Sequence, residues 1–186
     1  AARRCPPGVQ GRGAGAVSVP GPATVPVVFD VNVLVLAVAV GESPFRSWPS
    51  PPPASGNPSA DCLGVVNDAA EFALWLSPDI LANTGRVLTV VLKTPDDEVD
   101  DYLRALTEMA DASGGGLTDP PRAVGDCPDW EDNRILDLAS AVGAFLIVSA
   151  DADLASMSPW RGRPIIEPRQ FASMVDASRR ARRRRR

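Results

Sequence analysis

Three aspartates stand where a carboxylate is hardest to place without a purpose. Asp30 closes the apolar run VPVVF at 25–29, and Asp151 follows AFLIVSA at 144–150. Asp132 opens the helical stretch that leads into the second of these runs. A charge at the end of a buried strand is costly unless a metal, a hydrogen-bond donor or a proton compensates it. In open parallel sheets ligands bind outside the carboxyl ends of the strands, so Asp30 and Asp151 are expected to face one crevice. The chain has no histidine, which excludes imidazole acid–base chemistry, His-dependent triads and His–metal sites. Carboxylates that converge without basic partners repel one another, and a hard divalent cation is the usual remedy. Mg²⁺ or Mn²⁺ in such a cluster would activate water and hold a phosphodiester for in-line displacement. Acids at helix starts are also common caps, and spacing alone leaves both roles open for Asp129, Glu131 and Asp132.

The elements that must position these groups follow from periodicity and punctuation. Residues 25–40 read as a first βα unit, with Val27, Val28 and Phe29 as a buried strand. Residues 41–60 form a loop too rich in proline for helix or central strand, with Phe45 and Trp48 as its expected anchors. A helix is predicted over 60–72, with Leu63, Val66 and Ala70 on one face, and a strand over 72–76. Ser77 followed by Pro78 starts the next helix, and Thr94 followed by Pro95 and three acids starts another that runs to about residue 112. The stretch 131–142 is a helix stopped by Gly143; 145–148 and 164–166 are strands; 170–176 is a final helix. This alternation predicts an α/β sandwich of three layers, α/β/α, around a mainly parallel sheet.

Composition sets the outer limits. The net charge of −4 hides an asymmetry, because seven arginines occupy the last eight positions and leave 12 basic against 23 acidic residues elsewhere. A basic tail at 177–186 suits contact with nucleic acid or an anionic partner, and a disordered tract with no such role suits the composition equally. Residues 1–24, rich in Gly and Pro and without an apolar core, read as a disordered leader rather than a signal peptide. The domain is thus expected at 25–176. No uncharged apolar run is long enough to span a membrane. Three cysteines without zinc-type spacing favour reduced thiols in a cytoplasm.

Four segments together are similar to a known family. VVFDVNVLV at 27–35, SPDILANTGRVL at 77–88, the 129–154 stretch that begins DWEDNRILD, and PIIEPRQFASM at 164–174 occur in the order of a PIN domain. PIN domains are the ribonuclease fold used by toxins of toxin–antitoxin pairs. The resemblance implies a metal-dependent endoribonuclease acting on RNA, held in check by a cognate antitoxin protein and able to form a homodimer. It implies Asp30, Asp132 and Asp151 as metal-binding acids and catalytic residues. Asn32 would orient Asp30, Asp129 would support Asp132, Ser149 would sit beside the cluster, and Asp153 would be a further acid or a local cap.

One position departs from the family pattern. Where the family has Glu in the helix after the second strand, this chain has Asn83, a neutral amide. Asp79, four residues earlier on the same helical face, is the expected substitute. The alternative function is therefore a weakened or inactive PIN-like module that binds RNA or a partner protein. An aspartyl phosphatase also places Asp after its first strand, but it needs a second acid two residues on, where Asn32 stands. Neither GxGxxG nor a P-loop motif is present.

Overall fold

The structure, a computed structural model, describes residues 24–39 and 56–185. Expectations for the leader at 1–23, for Phe45 and Trp48 and for most of the proline-rich loop lie outside the described residues. The fold is an α/β/α sandwich around five parallel strands in the order β3-β2-β1-β4-β5. The strands are β1 Val25–Phe29, β2 Phe72–Leu76, β3 Gly116–Leu117, β4 Leu146–Val148 and β5 Ile165–Ile166. The helices are α1 Val31–Ala39, α2 Pro58–Asn67, α3 Pro78–Arg86, α4 Asp96–Ala112, α5 Trp130–Ala141, α6 Ala152–Ser156 and α7 Pro168–Arg184.

The chain moves outward from β1 to β2 and β3, then crosses back to place β4 on the other side of β1. That reversal opens a crevice between the carboxyl ends of β1 and β4. The two strands are in register through Phe29 and Val148, and the Asp30 amide extends the ladder by donating to the Val148 carbonyl at 2.9 Å. Asp30 and the 149–151 segment therefore leave the sheet side by side. Burial of Val27, Val28, Phe29, Ile147 and Val148 is complete, as expected of central parallel strands covered on both faces. Phe171 of α7 stands edge-on to both Phe29 and Phe72, at 5.6 and 4.9 Å between ring centroids.

Most starts and stops follow the local chemistry. Ser77 caps α3 by accepting from the Ile80 amide, and Gly143 ends α5 with φ of 62°. Helix α2 begins at Pro58, because the Asn57 side chain accepts from the Ser59 and Ala60 amides. It stops at Asn67, short of the expected residue 72; Ala69 takes a positive φ and Ala70 is exposed. Helix α4 starts one residue late, with Pro95 rather than Thr94 at the cap.

Strand β3, absent from the sequence expectation, is two residues long and carries no alternation to detect. It is held by Ser113, whose hydroxyl donates to the Ala110 carbonyl and accepts from the Leu74 amide, and by a close approach at Gly115. A Cβ there would meet the Leu74 carbonyl oxygen at 1.8 Å, so only glycine fits. After α3 the helix widens into a π-turn at Val87–Val91, and Val87 lines the crevice.

The arginine tract corrects the expected tail. Helix α7 continues through Arg184 instead of ending at 176, since Arg is a good helix former and Arg180 pairs with Asp176 one turn back at 2.6 Å. Arg179 donates to both oxygens of Glu71 and, at 2.7 Å, to Asp68. Glu71 immediately precedes β2, so these contacts lie at the amino edge of the sheet. Helix α7 begins beyond β5 at the carboxyl edge and spans about 25 Å. Its terminal arginines thus sit at the end of the molecule opposite Asp30. Replacing Arg179 with alanine removes its ion pairs to two largely buried carboxylates and leaves Glu71 with Arg182 at 3.7 Å, with an expected stability loss of about 1–3 kcal/mol. Urea unfolding measures it; an unchanged midpoint would mean that the pairing adds nothing.

Candidate functional site

At the crevice Asp30, after β1, and side chains of α1, α3, α5 and the segment after β4 line a cavity of about 350 Å³. Asp30, Asn32, Asn83, Asp129, Asp132 and Asp151 all line it. Asp30 is 6% exposed. Its Oδ2 accepts from Asn32 Nδ2 and from the Ser149 hydroxyl, both at 2.6 Å. The Asn32 Oδ1 in turn accepts from the Ala150 amide at 3.1 Å, and Ser149 Oγ accepts from the Asp151 amide at 2.9 Å. Asn32 and Ser149 therefore fasten the end of β1 to the end of β4 through one carboxylate oxygen. Asn32, expected to orient Asp30, and Ser149, expected beside the cluster, are thus both hydrogen-bond donors to the same Asp30 oxygen.

Asp151 caps α6, its Oδ1 accepting from the Asp153 and Leu154 amides. Asp153 is exposed in the first turn of α6 and does not line the cavity, so its position is that of the local cap turn rather than of a further acid. Asp129 is the N-cap of α5, accepting from the Glu131 amide at 2.8 Å, while its carboxylate remains at the cavity rim.

The loop that delivers Asp129 and Asp132 is tied down from within. Asn133, 6% exposed, accepts from the Cys127 amide and donates to the carbonyls of Cys127 and Asp129. Asp137 accepts from the Ala123 and Val124 amides at 3.0 and 2.8 Å. Trp160 holds Asp126 through its indole at 2.8 Å. The Cys127 thiol donates to Asp132 Oδ2 at 3.3 Å.

Electrostatics couple the three acids. Burial pushes the Asp30 carboxyl above its ordinary range against the opposing Ser149 bond, and the charge of Asp151 pushes the same way. Asp132 is pushed up to about 6, first by burial and then by the charges of Asp30, Asp151 and Asp129, with the Cys127 bond working against the shift. Among the described residues no three Cys, Asp or Glu side chains are gathered closely enough to form a ready-made metal cage.

Asp79, the expected substitute for an acid at position 83, pairs with Arg122 at 3.3 Å and does not line the carboxylate cavity. The acid beside Asn83 is Glu131, whose Oε2 accepts from Asn83 Nδ2 at 2.6 Å. Arg86 joins both, donating to Asn83 Oδ1 and reaching Glu131 at 3.2 Å. The adjacent acids Glu131 and Asp132 were visible in the sequence, but which one faces α3 depends on how α5 crosses it.

Compared with known proteins, the chain matches no family model and no curated protein. Among the described residues no helix is long and apolar enough to cross a membrane.

Proposed function

We propose that the chain is a PIN-like, Mg²⁺- or Mn²⁺-dependent endoribonuclease, acting as the toxin of a cytoplasmic toxin–antitoxin pair. The observation that carries this reading is the meeting of Asp30, Asp132 and Asp151 at one cavity, mutually repelling, with no lysine or histidine among them. That donor set fits a hard divalent cation. Mg²⁺ keeps several waters and takes only one or two carboxylates directly, so separated acids around a roomy cavity suit it better than a closed cage. When bound, the cation supplies Lewis-acid stabilisation of the phosphodiester undergoing displacement.

The residues of the chain do the rest. Asp30, Asp132 and Asp151 would hold the ion, directly or through its waters, and Asn32 and Ser149 hold the Asp30 carboxylate in place through its Oδ2. Asp129 and Asn133 fix the first turn of α5 and with it the aim of Asp132. Glu131 restores on the α5 wall the negative charge that Asn83 removes from α3. A cognate antitoxin and a second copy of the chain are the proposed protein partners.

One arrangement favours a second reading, an RNA-binding module without catalysis. The Arg86 guanidinium sits between Asn83 and Glu131 and offsets the charge a cation would need. The variant Asn83→Glu separates the two. It sets a new carboxylate against Glu131, and Mn²⁺ affinity by calorimetry is expected to rise about tenfold while the metal-free protein melts lower. Unchanged affinity would favour the module. Cleavage of labelled RNA with Mn²⁺, beside an Asp30 variant, tests the main reading.

A further inference from the structure

Trp130 has no part in the chemistry just described, and its position calls for one. It is the first residue of α5, where Asp129 already provides the cap, and it is 63% exposed. An indole so placed does nothing for helix initiation, and leaving it in water forgoes the burial that usually justifies tryptophan. It lines a second cavity of about 320 Å³, within the size range of ligand pockets. Ile80, Ile135, Arg86 and Asp79 line the same space, and Arg134 beside them is paired with Asp137 at 2.9 Å. Val31, Asn83, Glu131 and Ile135 border both cavities, so the Asn83–Glu131 bond with Arg86 forms the partition between them.

We infer that this second cavity is a base-stacking subsite for single-stranded RNA. A nucleobase lies against the Trp130 indole while the adjoining phosphate sits over Asp30, Asp132 and Asp151, and Arg86 on the partition faces the backbone between them. The assignment rests on RNA being the ligand of the carboxylate cavity. The chemistry is that of single-strand recognition, in which an aromatic platform accepts any base and a nearby cation tracks the backbone. Contiguity with the carboxylates favours a nucleic acid over a docking protein, because one strand reaches both cavities without crossing the sheet.

The test is binding of the full-length protein, with Ca²⁺ as the hard cation in place of Mg²⁺ or Mn²⁺, to a fluorescent eight-nucleotide RNA, compared with the same RNA made abasic at each position in turn. Stacking on one indole is worth about tenfold in affinity per base. Wild-type protein should therefore lose about tenfold at one abasic position. Trp130→Ala should bind the intact RNA correspondingly weakly and show no further loss at that position, while Trp130→Phe keeps most of the affinity. Abasic penalties that persist unchanged in Trp130→Ala, or intact-RNA affinity equal to wild type, would overturn the subsite. Equal affinity is also the outcome if Trp130 instead anchors a partner protein. Cleavage is read separately. Asp30-dependent cleavage with base-independent binding leaves the nuclease standing and removes the subsite; Trp130-dependent binding with cleavage indifferent to Asp30 does the reverse.

Discussion

Asp30→Asn is expected to lower RNA cleavage in Mn²⁺ by about 10³-fold or more while leaving the fold intact. The side chain is nearly isosteric, and its oxygen can still accept from Ser149 and Asn32, so the tie between β1 and β4 survives. What disappears is the charge at the centre of the cluster. Because burial penalises that charge, the metal-free variant at pH 7.5 should melt at the wild-type temperature or above it. Activity and stability thus move in opposite directions, which a merely structural residue would not produce. Cleavage assays paired with thermal melts read both. Full cleavage by a folded Asp30→Asn would remove Asp30 from the chemistry and with it the proposed nuclease.

The second large effect is a linked dependence on pH and divalent cation. Asp132 titrates at 3.8 when unperturbed and at about 6 in the folded protein, and Asp30 is shifted in the same direction. Between these values the folded state binds more protons than the unfolded one, so stability falls as pH rises through the window. The carboxyl of Asp126 is held below its ordinary 3.8, chiefly by the Trp160 indole, and contributes in the opposite sense only in more acidic solution. Metal-free protein should therefore melt higher at pH 5 than at pH 7.5. Mg²⁺ or Mn²⁺ at about 100 times its dissociation constant adds about 2.7 kcal/mol, or roughly 5–10 °C for a chain of this size. That gain should be largest at pH 7.5 and shrink at pH 5, where protons compete for the same oxygens. Asp132→Asn should flatten the pH dependence and reduce the cation response together. No melting shift with either metal at pH 7.5 would turn the reading toward the RNA-binding module.

Much of this arrangement was written in short-range pattern. The run VPVVF ending in Asp30 and the run AFLIVSA ending in Asp151 announce two buried parallel strands whose next polar residue must leave the sheet at its carboxyl edge. Ser77 with Pro78, and Gly143 after α5, mark helix ends through backbone chemistry confined to a single turn. Such features are local, so they survive without knowledge of the neighbours. Strand β3 and helix α6 were not legible, because two and five residues are too few for a period to show.

Only the tertiary structure decided the partners. Asn83 and Asp79 lie four residues apart on α3, yet Asn83 meets Glu131 and Asp79 turns away to Arg122. The angle at which α3 meets α5 makes that choice, through a contact 48 residues apart in the chain. Arg179 likewise reads as one more charge in a basic tract until α7 carries it back to Glu71, 108 residues earlier. Composition excludes imidazole chemistry, since the chain has no histidine. The strand reversal at β1 gathers Asp30, Asp132 and Asp151 into one cavity. Packing of α5 then decides that Glu131, rather than residue 83, supplies the acid on its far wall.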